Sequence, residues 1–267
     1  MPLLQLFLVA VIQGITEFLP VSSSGHLILL PGLTTLEDQG QVIDVAVHVG
    51  TLFAVILYFW SDAKSAIIGL PRLMIGRADT QGACLALLLL IASVPVIAFG
   101  LILHLTGLDA EMRSVKVIGW AMLVFGVVLY WADQTGPCVK DDSKWNLQDA
   151  MVMGVWQAVA LIPGTSRSGI TITGARFLGY SRHDAAKIAM LMSIPTIFAS
   201  GFLLGAESVI TANMAVLRDG AIAALFAFLS ALIALSVMMK LLNRLSFTPY
   251  VIYRVMLGLI LLAIAYT

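Results

Sequence analysis

The sequence predicts an all-α integral membrane protein of six transmembrane helices plus two re-entrant helical hairpins, arranged as an inverted repeat. Three observations carry that prediction. Of the 267 residues, 60% are hydrophobic and only 11% are charged, and the mean hydropathy is +0.99. The apolar residues form long uncharged runs, as they do in polytopic membrane proteins. Two short segments, Pro20-Val-Ser-Ser-Ser-Gly-His26 and Pro163-Gly-Thr-Ser-Arg-Ser-Gly169, interrupt the apolar sequence with a proline, small hydroxyl residues, glycine and an ionisable group. Hydrocarbon offers no water to an irregular backbone, so such breaks are expected to be buried in protein or to line a polar cavity.

The apolar stretch Pro2 to Leu19 contains Gln13 and Glu17 with no basic residue before it. It lacks the charged start of a secretory signal and reads as mature structure. Only a short apolar run, Leu27 to Leu33, follows the first break, so the two arms are too short for two crossings and read as a hairpin. Runs at about 43–60, 83–107 and 115–132 are each near the roughly 20 residues a span needs, and they complete a first repeat, 1–132. Residues 148–163 and 169–179 form the second hairpin, and runs at about 184–206, 215–240 and 249–266 complete the second repeat, 148–267. An odd number of spans per half requires the second repeat to be inverted. The polar connections around 61–82 and 133–147 are too short to bury a core, so the chain is a single membrane domain over 1–267.

In this topology Lys64, Arg72, Arg77, Lys140, Lys144, Arg176, Arg182, Lys187, Lys240 and Arg244 fall on one side, and Arg113, Lys116 and Arg218 on the other. The richer side is expected to be cytoplasmic, with 133–147 a cytoplasmic connection and both termini outside. The first hairpin then enters from the external face and the second from the cytoplasm, and their tips meet near the midplane. Thr35 would face outward and Gly76 inward. The formal net charge of zero favours no nucleic-acid partner, and Cys84 and Cys138 have neither metal-ligand spacing nor placements that suit pairing.

Candidate chemistry sits in the two breaks. Gln13 and Glu17, four apart, share a helix face and point toward the serine turn. A carboxylate at this depth costs about 3 kcal/mol or more on insertion scales, so Glu17 must meet a polar cavity, a cation or a hydrogen-bonding partner; a cap on the serine turn is the plainer alternative. Ser22 or Ser23 can cap the second short helix while free amides point into the cavity, a geometry that binds anions. Ser24 adds a hydroxyl, Gly25 lets backbone approach an oxyanion, and His26 can exchange a proton. In the second break Arg167 is flanked by Gly164, Thr165, Ser166, Ser168 and Gly169, and a guanidinium fork matches phosphate oxygens bidentately. A phosphate or pyrophosphate is the natural guest, and a purely structural Arg167–Glu17 pair is the alternative. Asp44 and His48 could border the same cavity or serve as an exposed acid and a core histidine. His104 and His183 read as interfacial, Arg254 as snorkelling or paired with a loop carboxylate, and the tryptophans as an aromatic belt.

Gln13-Gly-Ile-Thr-Glu17-Phe-Leu-Pro-Val-Ser-Ser-Ser-Gly-His26 and Pro163-Gly-Thr-Ser-Arg-Ser-Gly169 resemble the two signature motifs of the bacterial undecaprenyl-diphosphate phosphatase family associated with bacitracin resistance. The likeness extends along the chain, including Pro249-Tyr-Val-Ile-Tyr-Arg254. That family begins its first motif with Glu or Gln and places an acid four residues on; here these are Gln13 and Glu17, which puts more weight on Glu17. The resemblance implies hydrolysis of a C55 isoprenoid diphosphate to the monophosphate in the bacterial cytoplasmic (inner) membrane. The charge distribution and repeat symmetry, independently of it, open the site to the external or periplasmic side. The resemblance also implies Glu17, Ser23, His26 and Arg167 as catalytic residues. Gln13, Ser22, Ser24, Gly25, Gly164, Thr165, Ser166, Ser168 and Gly169 would bind substrate. A divalent cation, Mg or Ca, would sit at Glu17. Ser23, His26 or water remains open as the nucleophile. A homodimer is compatible with the chain and not required by it. Two rivals are a lipid carrier, which needs no nucleophile, and a phosphatase related to vanadium haloperoxidases. The latter needs a histidine where this chain has Thr173, and an Arg-Pro dipeptide that it lacks.

Overall fold

The computed structural model describes residues 1–27, 40–108, 112, 114–211 and 213–267, with side chains for all of these except 203–211. The second arm of the first hairpin beyond Leu27, Thr35 and Arg113 lie outside the described residues. The described elements are helical: α1 (Leu3–Phe18), α2 (Ser23–Leu27), α3 (Gln41–Tyr58), α4 (Trp60–Met74), α5 (Gln81–Thr106), α6 (Val115–Thr135), α7 (Leu147–Val159), α8 (Arg167–Phe177), α9 (Arg182–Thr211), α10 (Met214–Leu241) and α11 (Thr248–Tyr266), with a short 3-10 turn at Asp142–Lys144. Six of them, α3, α5, α6, α9, α10 and α11, are long and apolar enough to cross a membrane. The chain is thus a multi-pass all-α membrane protein, and each span begins within about three residues of its sequence-based start.

Local chemistry explains the boundaries. The side chains of Thr80, Ser114, Asn146, Ser166 and Asn213 each accept a backbone N–H three residues on, capping α5, α6, α7, α8 and α10. Gly107 ends α5 in the left-handed conformation at φ 75°. Pro95 and Pro195 lie inside α5 and α9. Gln157 of α7 donates to the Ala92 carbonyl of α5 at 3.4 Å, tying the two helices together.

The interior is mainly apolar, as in a soluble protein, but the outer surface is apolar too and polar groups are buried among the helices. Phe53, Leu57, Val94, Ile97, Val124, Phe198 and Ile233 face outward, while Gln13, Thr51, Gln157, Thr171, Thr173, Ser193 and Arg254 are buried. Small residues let helices approach closely. Gly50 of α3 lies against the Ala224 backbone of α10, Gly154 of α7 against Ala92 of α5, and Gly119 of α6 against Gly258 of α11. The short helix α8 sits in the middle, packed on α6, α7 and α9, and is buried continuously from Ser168 to Arg176.

The segment around 61–82, expected to be a polar connection, is largely the helix α4. Its inward stripe is Ala63, Ala66 and Gly69, and Gly69 rests on Gly82 and Ala83 of α5. Small residues form that stripe, so mean hydropathy stays low and the helix escapes an apolar-run search.

Charged groups gather at the two ends of the bundle. At one end Asp133, in the last turn of α6, accepts from Arg182 at 2.6 Å and from the Phe247 amide at 3.1 Å, with Arg176 Nε 3.5 Å away. There too, Lys187 bridges Asp62 and Asp142 at 3.1 and 2.7 Å, and Lys140 pairs with Asp149 at 2.8 Å. At the opposite end the Met1 amino group meets Asp219 at 2.7 Å, and Lys116 lies 4.7 Å from the centre of the Tyr266 ring. Lys140, Arg176, Arg182 and Lys187 are thereby separated from Lys116, Arg218 and both chain termini.

Candidate active site

The helix α1 carries Gln13 and Glu17 one turn apart and stops at Phe18, because Pro20 cannot continue it. Ser22 then takes a positive φ of 76°, and Ser23 begins α2. The second break repeats this local geometry: Gly164 has φ 91°, Ser166 has φ 68°, and Arg167 begins α8. In each break the serine with positive φ pairs its hydroxyl with a serine two residues on, Ser22 with Ser24 at 3.0 Å and Ser166 with Ser168 at 3.1 Å.

The two breaks touch. Arg167 Nη2 donates to Glu17 Oε1 at 2.8 Å, the Gly164 amide donates to Ser24 Oγ at 3.2 Å, and Ser168 Oγ donates to the Leu19 carbonyl at 3.0 Å. The other carboxylate oxygen, Glu17 Oε2, accepts from Gln13 Nε2 at 2.8 Å and from Ser23 Oγ at 3.4 Å. Around this pair lies a cavity of about 240 Å³, lined by Glu17, Ser22, Ser23, Ser24, Gly164, Ser166 and Arg167, and also by His48, Ala160, Thr196, Ile197 and Ser200. Drug-sized ligands take roughly 300–1,000 Å³, so this space suits a charged headgroup and not a whole lipid.

Not every candidate reaches the cavity. Gln13 is fully buried behind Glu17. Thr165, Ser168 and Gly169 lie behind the loop, and an added Cβ at Gly25 would meet Met122 of α6 at 2.6 Å, so that glycine serves helix contact. His26 faces elsewhere: Nδ1 donates to the Ser22 carbonyl at 2.7 Å, and Nε2 accepts from the Tyr253 hydroxyl at 2.7 Å over stacked rings. Its tautomer follows from these partners.

His48 of α3, weighed from sequence as bordering the cavity or as a core histidine, lines it. Three further participants were not assigned from sequence. Thr196 and Ser200 of α9, four residues apart on one face, form another wall. That i,i+4 hydroxyl pair beside Pro195 was the available signal. The third, Arg254, neither snorkels nor pairs with a loop carboxylate among the described residues. It is fully buried, and its Nη2 donates to the Gly164 carbonyl at 3.1 Å and to that of Thr165, holding the second break from behind.

The structural Arg167–Glu17 pair weighed from sequence is formed, yet it stands at the rim of a polar cavity and leaves Arg167 Nη1 without a hydrogen bond among the described residues. The arrangement can hold an anion on a guanidinium and on helix-start amides, and it presents a serine beside a carboxylate. A metal fits narrowly. Among the described residues Glu17 is the one carboxylate lining the cavity, and they contain no group of three or more His, Cys, Asp or Glu that could hold an ion. The donor set fits only a cation that arrives with phosphate oxygens of its own, as magnesium commonly does.

Apolar spans around a small cavity of hydroxyls with, among the described residues, one carboxylate and one guanidinium define a multi-pass membrane protein with a polar cavity suited to an anion. The chain belongs to the family described as "Bacitracin resistance protein BacA", whose model matches residues 6–260. It is 66% identical over 267 residues to the undecaprenyl-diphosphatase of Ruegeria pomeroyi, with all of both chains covered. It is 68% identical over 266 residues to the protein of the same name from Ruegeria sp., again over both full lengths. With undecaprenyl-diphosphatase 1 of Rhodospirillum rubrum the identity is 45% over 273 residues, covering all of this chain and 96% of the other.

Proposed function

We propose that this chain hydrolyses undecaprenyl diphosphate to undecaprenyl phosphate and inorganic phosphate, recycling the lipid carrier of cell-wall synthesis and conferring bacitracin resistance. Family membership and the names of full-length relatives support the activity. The observation that carries the assignment of residues is the juxtaposition of Ser23, Glu17 and Arg167 on one headgroup-sized cavity.

In this reading the terminal phosphate lies against Arg167 and the first amides of α8, which stabilise charge building on its equatorial oxygens. Ser23 Oγ attacks phosphorus, the anhydride bond to the lipid phosphate breaks, and Glu17 Oε2 takes the serine proton. Water then cleaves the phosphoserine and restores the hydroxyl. Because both His26 nitrogens are engaged away from the cavity, Ser23 is favoured over His26 as the nucleophile. A divalent cation, if it enters with the diphosphate, is held by Glu17 on the protein side and supplies charge neutralisation. The tail lies outside. Ile162, two residues before Gly164, closes an apolar groove of about 360 Å³ along Val117, Trp120 and Val124, a surface suited to the first isoprene units. The hairpins are read as re-entrant arms of an inverted repeat in the inner membrane with the cavity open to the outside. The matched Ser22 and Ser166 conformations and the sorted basic residues support this.

The test is phosphate release from a C55 diphosphate by purified protein, with and without a chelator. Arg167→Ala and Glu17→Ala should each lose about a hundredfold or more in rate, the equivalent of about 3 kcal/mol in barrier. Ser23→Ala should lose essentially all turnover and Ser24→Ala should keep much of it. Turnover by Ser23→Ala together with none by His26→Ala would overturn the serine mechanism. Absence of phosphate release from the unaltered chain would favour a carrier.

A further inference from the structure

The α3 wall of the cavity holds a residue that the chemistry above leaves unused. His48 Nδ1 lies 2.7 Å from the Asp44 carbonyl one turn earlier, and its Nε2 lies 3.1 Å from Gln13 Nε2. A carbonyl only accepts and an amide nitrogen only donates, so Nδ1 carries the proton and Nε2 is the acceptor. Gln13 spends its other N–H on Glu17 Oε2 at 2.8 Å, the oxygen to which Ser23 Oγ donates at 3.4 Å. The reversed amide would set its carbonyl oxygen against the carboxylate, so Glu17 fixes the orientation and the His48 tautomer follows from it. His48 Nε2 itself lies 3.8 Å from Glu17 Oε2, beyond hydrogen-bond reach.

The result is a chain of contacts from backbone to nucleophile: Asp44 carbonyl, His48, Gln13, Glu17, Ser23. Gln13 is fully buried, so if His48 offers no acceptor, one amide proton is stranded at a cost of about 1–3 kcal/mol. The amide then turns to find another partner and releases Glu17. We infer that His48 is a positioning residue: through Gln13 it holds the Glu17 carboxylate with Oε1 toward Arg167 and Oε2 toward Ser23. The inference rests on the reading of Glu17 as the group that takes the Ser23 proton.

The experiment is a double-mutant cycle on phosphate release from the C55 diphosphate, with kcat and KM separated. His48→Leu removes the acceptor and should lower kcat about tenfold or more with KM within about twofold, because the phosphate contacts are untouched. Gln13→Leu should do the same, and the double variant should be no worse than the poorer single one, since both break one chain. His48→Gln offers a carbonyl oxygen to the Gln13 amide and should return kcat to within about threefold of the unaltered protein. Wild-type kcat in His48→Leu, independent losses that multiply in the double variant, or no rescue by His48→Gln would each overturn the inference. Should His48→Leu fail to give a monodisperse protein, His48→Ala takes its place in the cycle. Glu17→Ala is measured alongside. Activity in that variant sinks the underlying role of Glu17, whereas an inactive Glu17→Ala with an unaffected His48→Leu sinks only the positioning role.

Discussion

Arg254 places a full positive charge in the interior, and no carboxylate lies within ion-pairing distance of it among the described residues. Its Nε and Nη1 also lack hydrogen-bond partners there. An unpaired buried charge is expensive, and a bound diphosphate across the Gly164–Thr165 carbonyls would supply the missing opposite charge. Arg254→Met should therefore lower kcat/KM about a hundredfold by letting the loop relax. Arg254→Lys should recover part of this, since it keeps the charge but offers the two carbonyls a single ammonium in place of a planar fork. Phosphate release together with thermal melting of the purified variants checks this, the second separating a lost loop geometry from a lost fold. Sequence could name Glu17 and Arg167, because each is an ionisable residue in apolar surroundings with polar neighbours along the chain. It could bring His48 to the cavity border but not to Gln13, and it misplaced Arg254, because their partners lie 35 and 90 positions away.

The two breaks are the elements on which the site depends, and their glycines are unequal. At Gly164 the φ of 91° is one that side chains rarely adopt, and an added Cβ would come within 2.5 Å of the Ile118 carbonyl oxygen. Backbone cannot step aside, so Gly164→Ala should cost about 1–3 kcal/mol from strain alone and shift the loop away from Ser24. At Gly25 the obstructing atom is the sulfur of Met122, on a side chain with several rotatable bonds. Gly25→Ala should be the milder change in both melting temperature and turnover. The existence of these breaks was legible because proline, glycine and serine are conspicuous in apolar sequence. The helix α4 was not, because small residues make its packing stripe.

Across the whole molecule, the ends of α6, α10 and α11 sort the charged groups into two sets, one knit around Asp133 and the other beside both termini. Under the proposed orientation, the set around Asp133 would lie in the cytoplasm and both termini outside. In a background lacking Cys84 and Cys138, a cysteine at Thr267 should react with a membrane-impermeant thiol reagent on intact cells. One at Gly76, just past α4, should react only after permeabilisation. The opposite pattern would invert the orientation. Six spans were readable because each is a near-continuous apolar run, and the pairing of those spans was not, because small residues at Gly50, Gly119 and Gly154 mark close approach without naming the partner.

Glu17 and Arg167 already occupy one another before any substrate arrives. The carboxylate is thus an intramolecular competitor, tethered at high effective concentration against every anion that seeks the guanidinium. A diphosphate with a long apolar tail outside the cavity has other binding energy with which to draw Arg167 off the carboxylate, which Gln13 keeps beside Ser23. Inorganic phosphate has none. The site should clear itself: once the lipid monophosphate has gone, reclosure of the ion pair expels the remaining phosphate, and product builds up without stalling the enzyme. Glu17→Gln removes the competitor and should bind inorganic phosphate more tightly than the unaltered protein while turning over nothing. A larger phosphate-dependent rise in melting temperature for the variant would register that difference.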